Sequence, residues 1–211
     1  RRTLAEVPRM IAGHLHYRRY LVARAAMATA TGGVGFVVVA GLAGPLRASD
    51  AALLAAAFVL AQAVIGFGLG ILGNRTGYRL VVVVGAGLLV VGMLTAAVAD
   101  SLPLFALSCA LLGGANSLTF VCDPSMSIEF APPGRTSVYL GTTLTVLAPF
   151  FIAGPLLAGL FVPIVGATAV FLTCAAFAAL GGLLALRFAD PRAGGAFELE
   201  LAPTQATVEA S

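Results

Sequence analysis

Hydrophobic positions in this chain fall into five uncharged runs, 25–46, 51–74, 80–99, 101–122 and 136–186, separated by brief polar stretches. The last run is interrupted by Pro163 and Gly166, so it reads as two helices. A helix rises about 1.5 Å per residue, and a hydrocarbon layer of about 30 Å takes roughly 20 residues to cross. The pattern therefore predicts an all-α integral membrane protein. Its six transmembrane helices lie near 20–43, 51–73, 79–99, 102–127, 137–161 and 167–187, numbered below as spans one to six.

Composition sharpens that picture. Apolar residues make up 60% of the chain and charged residues 10%, against about 25% charged in soluble domains. One soluble core could not hide six such stretches. All twelve basic residues are arginine, and the net charge is +3. Arg1, Arg2, Arg9, Arg18, Arg19 and Arg24 precede or open span one. Arg75 and Arg79 fall between spans two and three, Arg135 between four and five, and Arg187 and Arg192 after six. Those eleven share one side of the membrane, and Arg47 takes the other. The positive-inside bias then predicts cytoplasmic termini, and explains the basic balance without invoking nucleic acid. Alanine, glycine and arginine richness without lysine suits a GC-rich genome and a bacterial plasma membrane.

Residues 1–19 are polar and basic, unlike a signal peptide, and read as a cytoplasmic linker; no initiator Met precedes them. The six-helix bundle takes 20–188. Residues 189–211 lose hydrophobicity and are expected to form a disordered cytoplasmic tail. Cys109, Cys122 and Cys174 lie in or at the ends of spans and read as small packing residues.

Polar content ranks the spans. Span three carries Thr95 alone, and span six only Thr168, Thr173 and Cys174, so both are expected at the periphery. Span four carries Ser108, Asn116, Ser117, Thr119 and Asp123, and span five Tyr139, Thr142, Thr143 and Thr145. Polar groups facing lipid are costly, so spans four and five are expected inside. Asn116, Thr119 and Asp123 recur at helical spacing on one face. Counting from Leu102, Asn116 lies about 21 Å in, near the midplane, and Asp123 about 32 Å in, at the interface. Asn116 suits either a substrate cavity or an interhelical hydrogen bond. Asp123 suits a structural or gate pair with a loop arginine better than proton coupling, and any coupling acid is expected outside this chain. Gln62, near mid-depth, suits ligand contact or an interhelical bond. Thr29, Gly33 and Thr143 complete the candidate cavity set. Arg24, one turn inside the surface, is expected to snorkel to the interface or meet an anionic substrate.

Two turns look like copies of one another. Gly70 and Gly77 are spaced as are Gly159 and Gly166, each pair leading into another apolar span, but only the first turn carries arginines. A three-helix unit and its inverted copy would differ in that way, because the copied turn faces the other side. The segment "GILGNRTGYR", Gly70 to Arg79, resembles the loop signature G-x-L-x-D-R-x-G-R-[KR] of major facilitator superfamily transporters. Gly70, Leu72, Arg75, Gly77 and Arg79 match; Asn74 and Tyr78 depart from it. "EFAPPGR", Glu129 to Arg135, resembles the family's E-x-x-P-x-x-R turn, and "GPLLAG", Gly154 to Gly159, its G-P-x-x-G-G helix motif.

The resemblance covers residues 18 to 192. It implies two inverted three-helix repeats, the C-terminal half of a twelve-helix transporter, with spans one and four on a central cavity. It also implies an N-terminal six-helix half as partner, and a small-molecule substrate with or without a coupling proton or ion. Gly70, Arg75, Gly77, Arg79, Asp123, Glu129 and Arg135 would form the gate and loop set. No cofactor, metal or nucleic acid is expected. An intramembrane enzyme lacks support, since the two histidines, His14 and His16, lie in the linker and no span pairs a nucleophile with a base. A non-transporting receptor on the same scaffold is the competing reading.

Overall fold

The computed structural model describes residues 15–132 and 134–188. The expected tail, His14 and the first fourteen residues lie outside them. Six helices among the described residues are long and apolar enough to cross a membrane: Leu15–Ala43, Asp50–Thr76, Tyr78–Val98, Leu102–Glu129, Thr136–Val165 and Ala167–Ala185. This is an integral, multi-pass membrane architecture. Span one is already helical at Leu15, so the last five residues assigned to the linker are helical. A short 3₁₀ turn, Thr31–Gly33, divides it into Leu15–Ala30 and Val34–Ala43. Span four runs through Pro124, and span five through Pro149, Pro155 and Pro163.

Gly77 and Gly166, the two glycines singled out from the turns, share one backbone conformation: φ 90°, ψ 152° and φ 85°, ψ 158°. Each donates its N–H to the carbonyl four residues back, Gly73 at 3.0 Å and Val162 at 2.9 Å. A Cβ strains this left-handed geometry, which is why both reversals are built on glycine.

Packing repeats the same symmetry. Span four packs against spans two and three, as span one packs against five and six, and spans three and six pack on each other. Individual contacts follow it. Gly92 of span three lies against Leu112 of span four, while Gly181 of span six lies against Met27 of span one. Gly85 receives Leu118, and in the copy Gly33 receives Cys174. The shift is constant, 85 positions from span one to four and 89 from three to six. Small residues at these crossings let the helices approach closely, the main source of helix association in lipid. The fold is a pair of inverted three-helix repeats.

Burial departs from the polarity ranking in two places. Span five, expected inside, is with span two the least buried within the chain, whereas span three is among the most buried. Only the first turns of span five hold its buried polar residues, Tyr139, Thr142 and Thr143; beyond Pro149 it is an apolar helix with an exposed face. Span three is inward because Gly85 and Gly92 admit leucines from span four. Polarity reports where hydrogen bonds are needed, and glycines report where backbones meet.

Candidate functional site

Span four is the hub of the polar contacts, and its polar side chains address different neighbours. Ser108 Oγ donates to the Gly92 carbonyl of span three at 2.9 Å. Asn116 Nδ2 donates to Gln62 Oε1 of span two at 3.3 Å. Asp123 reaches span one, and Ser127 Oγ lies 2.9 Å from Thr143 Oγ1 of span five. These four side chains each register span four against a different helix.

The strongest of these contacts is an ion pair. Arg24 Nε and Nη2 donate to the two oxygens of Asp123 at 2.5 and 2.6 Å, in the side-on fork geometry of strong charge-assisted bonds. Both side chains are almost fully buried, at 2% and 1% exposure. Tyr20 Oη donates to Asp123 Oδ1 at 2.7 Å, and Arg24 Nη2 reaches Thr119 Oγ1 at 3.5 Å. A buried pair of this kind persists only when its remaining donors and acceptors are met. Here Tyr20 supplies a further donor to the carboxylate and Thr119 an acceptor to Nη2.

Below the pair lies a second layer. Tyr17 Oη donates to the Tyr139 carbonyl at 3.2 Å and lies 2.8 Å from Thr143 Oγ1, while Ser127 Oγ donates to the Asp123 carbonyl at 2.6 Å. The rings of Tyr17, Tyr20, Phe130, Tyr139 and Phe188 stack around it, with successive centroids 5.1 to 6.5 Å apart. Spans one, four and five are therefore tied together at the arginine-rich end, with Phe188, three residues beyond span six, packed against them.

Sequence pattern and geometry meet unevenly over the candidate residues. Asn116 and Gln62 are half-buried and bonded to each other across spans four and two. Thr119 and Asp123 share the Arg24 site. Asp123 takes its arginine from span one rather than from a loop, and Arg24 turns into the bundle instead of snorkelling, because the carboxylate offers it a bidentate partner. Thr143 is buried in the lower layer. Gly33 is buried against Cys174 and Met93 at the repeat crossing. Thr29 donates to the Ala25 carbonyl at 3.0 Å and borders an apolar cleft of about 410 Å³ with Gly154, Phe161 and Phe177.

Among the loop residues, Arg79 Nη2 donates to the Leu186 carbonyl at the end of span six, at 2.6 Å. Arg75 and Arg135 are exposed at their turns, Gly70 faces Val121 of span four, and half-buried Glu129 ends span four. Tyr17, Tyr20 and Ser127 carry no expectation from sequence. The signal for the tyrosines was their spacing. Tyr17, Tyr20 and Arg24 follow the same three-then-four interval as Asn116, Thr119 and Asp123, and so share a face of span one.

The family model of the Major Facilitator Superfamily matches residues 16–208. The chain belongs to the major facilitator superfamily. Superfamily members are membrane transporters of small molecules and typically not enzymes. Among curated proteins none matches the chain. Membership gives the hub its context: spans one and four, joined by the ion pair, are the first helices of the two repeats.

Proposed function

We propose that this chain forms one six-helix bundle of a secondary active transporter, which carries a small solute by alternating access against a second six-helix bundle. The observation that supports this reading is the exposed apolar face on spans two and five. Leu60, Val64 and Phe67 on one, and Ile152, Leu156, Leu160 and Ile164 on the other, are each at least 60% exposed and follow helical spacing. These two faces flank spans one and four and suit the second bundle. Asn116, Gln62 and Thr119 are the proposed substrate contacts, with Asn116 and Gln62 exchanging their mutual bond for bonds to solute near the midplane. Arg75, Arg79, Glu129 and Arg135 act at the cytoplasmic gate, with both termini on that side of a bacterial plasma membrane. A coupling proton or ion would use an acid of the second bundle, since the Asp123 carboxylate is committed to Arg24.

Single-cysteine labelling tests this in the intact protein, in a background free of Cys109, Cys122 and Cys174. Asn116→Cys is expected to react with an impermeant thiol reagent from either side of the membrane, with substrate slowing both reactions. Thr76→Cys should react from the cytoplasm and Ser49→Cys from outside. Reaction of Asn116→Cys from one side alone, unchanged by substrate, would contradict alternating access at this site.

A further inference from the structure

The arginine-rich end carries a second, separate feature on its outer surface. Arg18, Arg19 and Val22 of span one and Leu184 and Arg187 at the end of span six line a recess of about 190 Å³. No carboxylate is among these lining residues. We propose that this recess binds the phosphate of an anionic phospholipid in the adjoining leaflet.

Three observations converge on that ligand. First, the recess is preorganised. Arg19 Nη1 donates to the Arg187 carbonyl at 3.0 Å, and Arg79 donates to the Leu186 carbonyl, so two arginines hold the frayed end of span six in place. Phe188, 1% exposed, packs edge-on against Tyr20 with centroids 5.8 Å apart and anchors the same segment. Second, the guanidinium groups of Arg18 and Arg187 stay at the exposed rim, where planar donors fit phosphate oxygens in pairs.

Third, one helical turn deeper on each wall is apolar. Val22 lies four residues beyond Arg18 and is 52% exposed, and Leu184 lies three residues before Arg187, toward the membrane interior. Charge at the rim above apolar side chains matches a headgroup above its acyl chains. A soluble phosphate would leave that apolar floor unused. Basic recesses between transmembrane helices at a membrane surface are suited to anionic headgroups for this reason.

The test uses the full chain released from membranes into mild detergent, with phosphatidylglycerol or phosphatidylcholine added and bound lipid counted by native mass spectrometry. Phosphatidylglycerol is expected to be retained in preference to phosphatidylcholine. Arg18→Gln/Arg187→Gln should weaken that retention roughly 30-fold, at the usual strength of a surface arginine near anionic lipid. The charge-matched control Arg47→Gln/Arg135→Gln should retain it. Inorganic phosphate at millimolar concentration should not displace the lipid; full displacement would assign a soluble-anion site and overturn the proposal. Equal retention of the two lipids, or equal loss in both variants, would also overturn it. Should the double variant fail to fold, photoactivatable phosphatidylglycerol on the unmodified protein replaces it. Crosslinks at Val22 or Leu184 support the site, and crosslinks confined to other spans refute it.

Discussion

Spans one and four meet at both ends of the bundle, and by different means. At the arginine-rich end they are joined by Arg24, Asp123, Tyr20 and Thr119, under a layer of aromatic rings. At the opposite end the same spans approach at Gly41 and Phe105, with Leu46 of the following loop beside them, all apolar or glycine. The inverted repeat would place these two ends in equivalent positions, and the glycine crossings obey that symmetry. The polar side chains do not. Shifting Asp123 back by 85 positions arrives at Val38, a partly buried apolar residue. Close packing thus builds a scaffold with two equivalent ends, and a few polar substitutions make one end the tighter. The pair lies within one six-helix bundle, so it holds that end of the bundle together whichever way the bundle sits against its surroundings.

The comparison is broken most severely at Asp123. Asp123→Ala leaves the Arg24 guanidinium buried without a counter-charge, and is expected to cost about 3–5 kcal/mol of stability. Thermal unfolding in detergent reads this directly, and a shift no larger than that of Val38→Ala would erase the distinction between the ends. The symmetric packing is broken next. A Cβ at Gly113 would strike the Phe58 backbone, and one at Gly32 the backbone of Gly154. Gly113→Ala and Gly32→Ala should each destabilise by about 1–3 kcal/mol, as overpacking does. Gly35→Ala and Gly87→Ala, where a Cβ meets nothing within 4 Å, should be neutral or stabilising. Similar losses at all four positions would mean that the glycines matter for reasons other than close approach. The smallest loss is expected at Asn116→Leu, which removes one interhelical bond worth about 0.6–2 kcal/mol and should lower substrate affinity more than stability. Unchanged affinity would leave Asn116 a packing residue.

The spans were legible because hydropathy over roughly 20 residues is an average that single residues barely disturb. The repeat was legible at Gly77 and Gly166 because a left-handed turn leaves few residue choices. The ion pair was hidden by a boundary. Starting span one at residue 20 puts Arg24 one turn inside the membrane surface, a depth from which arginine reaches water. The chain is already helical at Leu15, so Arg24 lies at least about 14 Å from the start of the helix, while Asp123 lies about 9 Å from the Glu129 end of span four. Both residues thus lie well inside their helices from the same side, and the common spacing of the two polar triplets points the same way. Span five misled because its polar residues are concentrated in its first turns, where the lower layer needs them.

A double-mutant cycle between Arg24 and Asp123 tests most directly whether the arginine-rich end is held by this pair. Unfolding midpoints would be compared for Arg24→Leu, Asp123→Leu, the double variant and the unmodified protein, all in one detergent. Coupling accounts for the predicted result: each single variant loses several kcal/mol, and the double variant recovers much of that loss, because no lone charge stays buried. Losses that simply add in the double variant would contradict the pairing, and with it the claim that polar contacts distinguish one end of a symmetric bundle from the other.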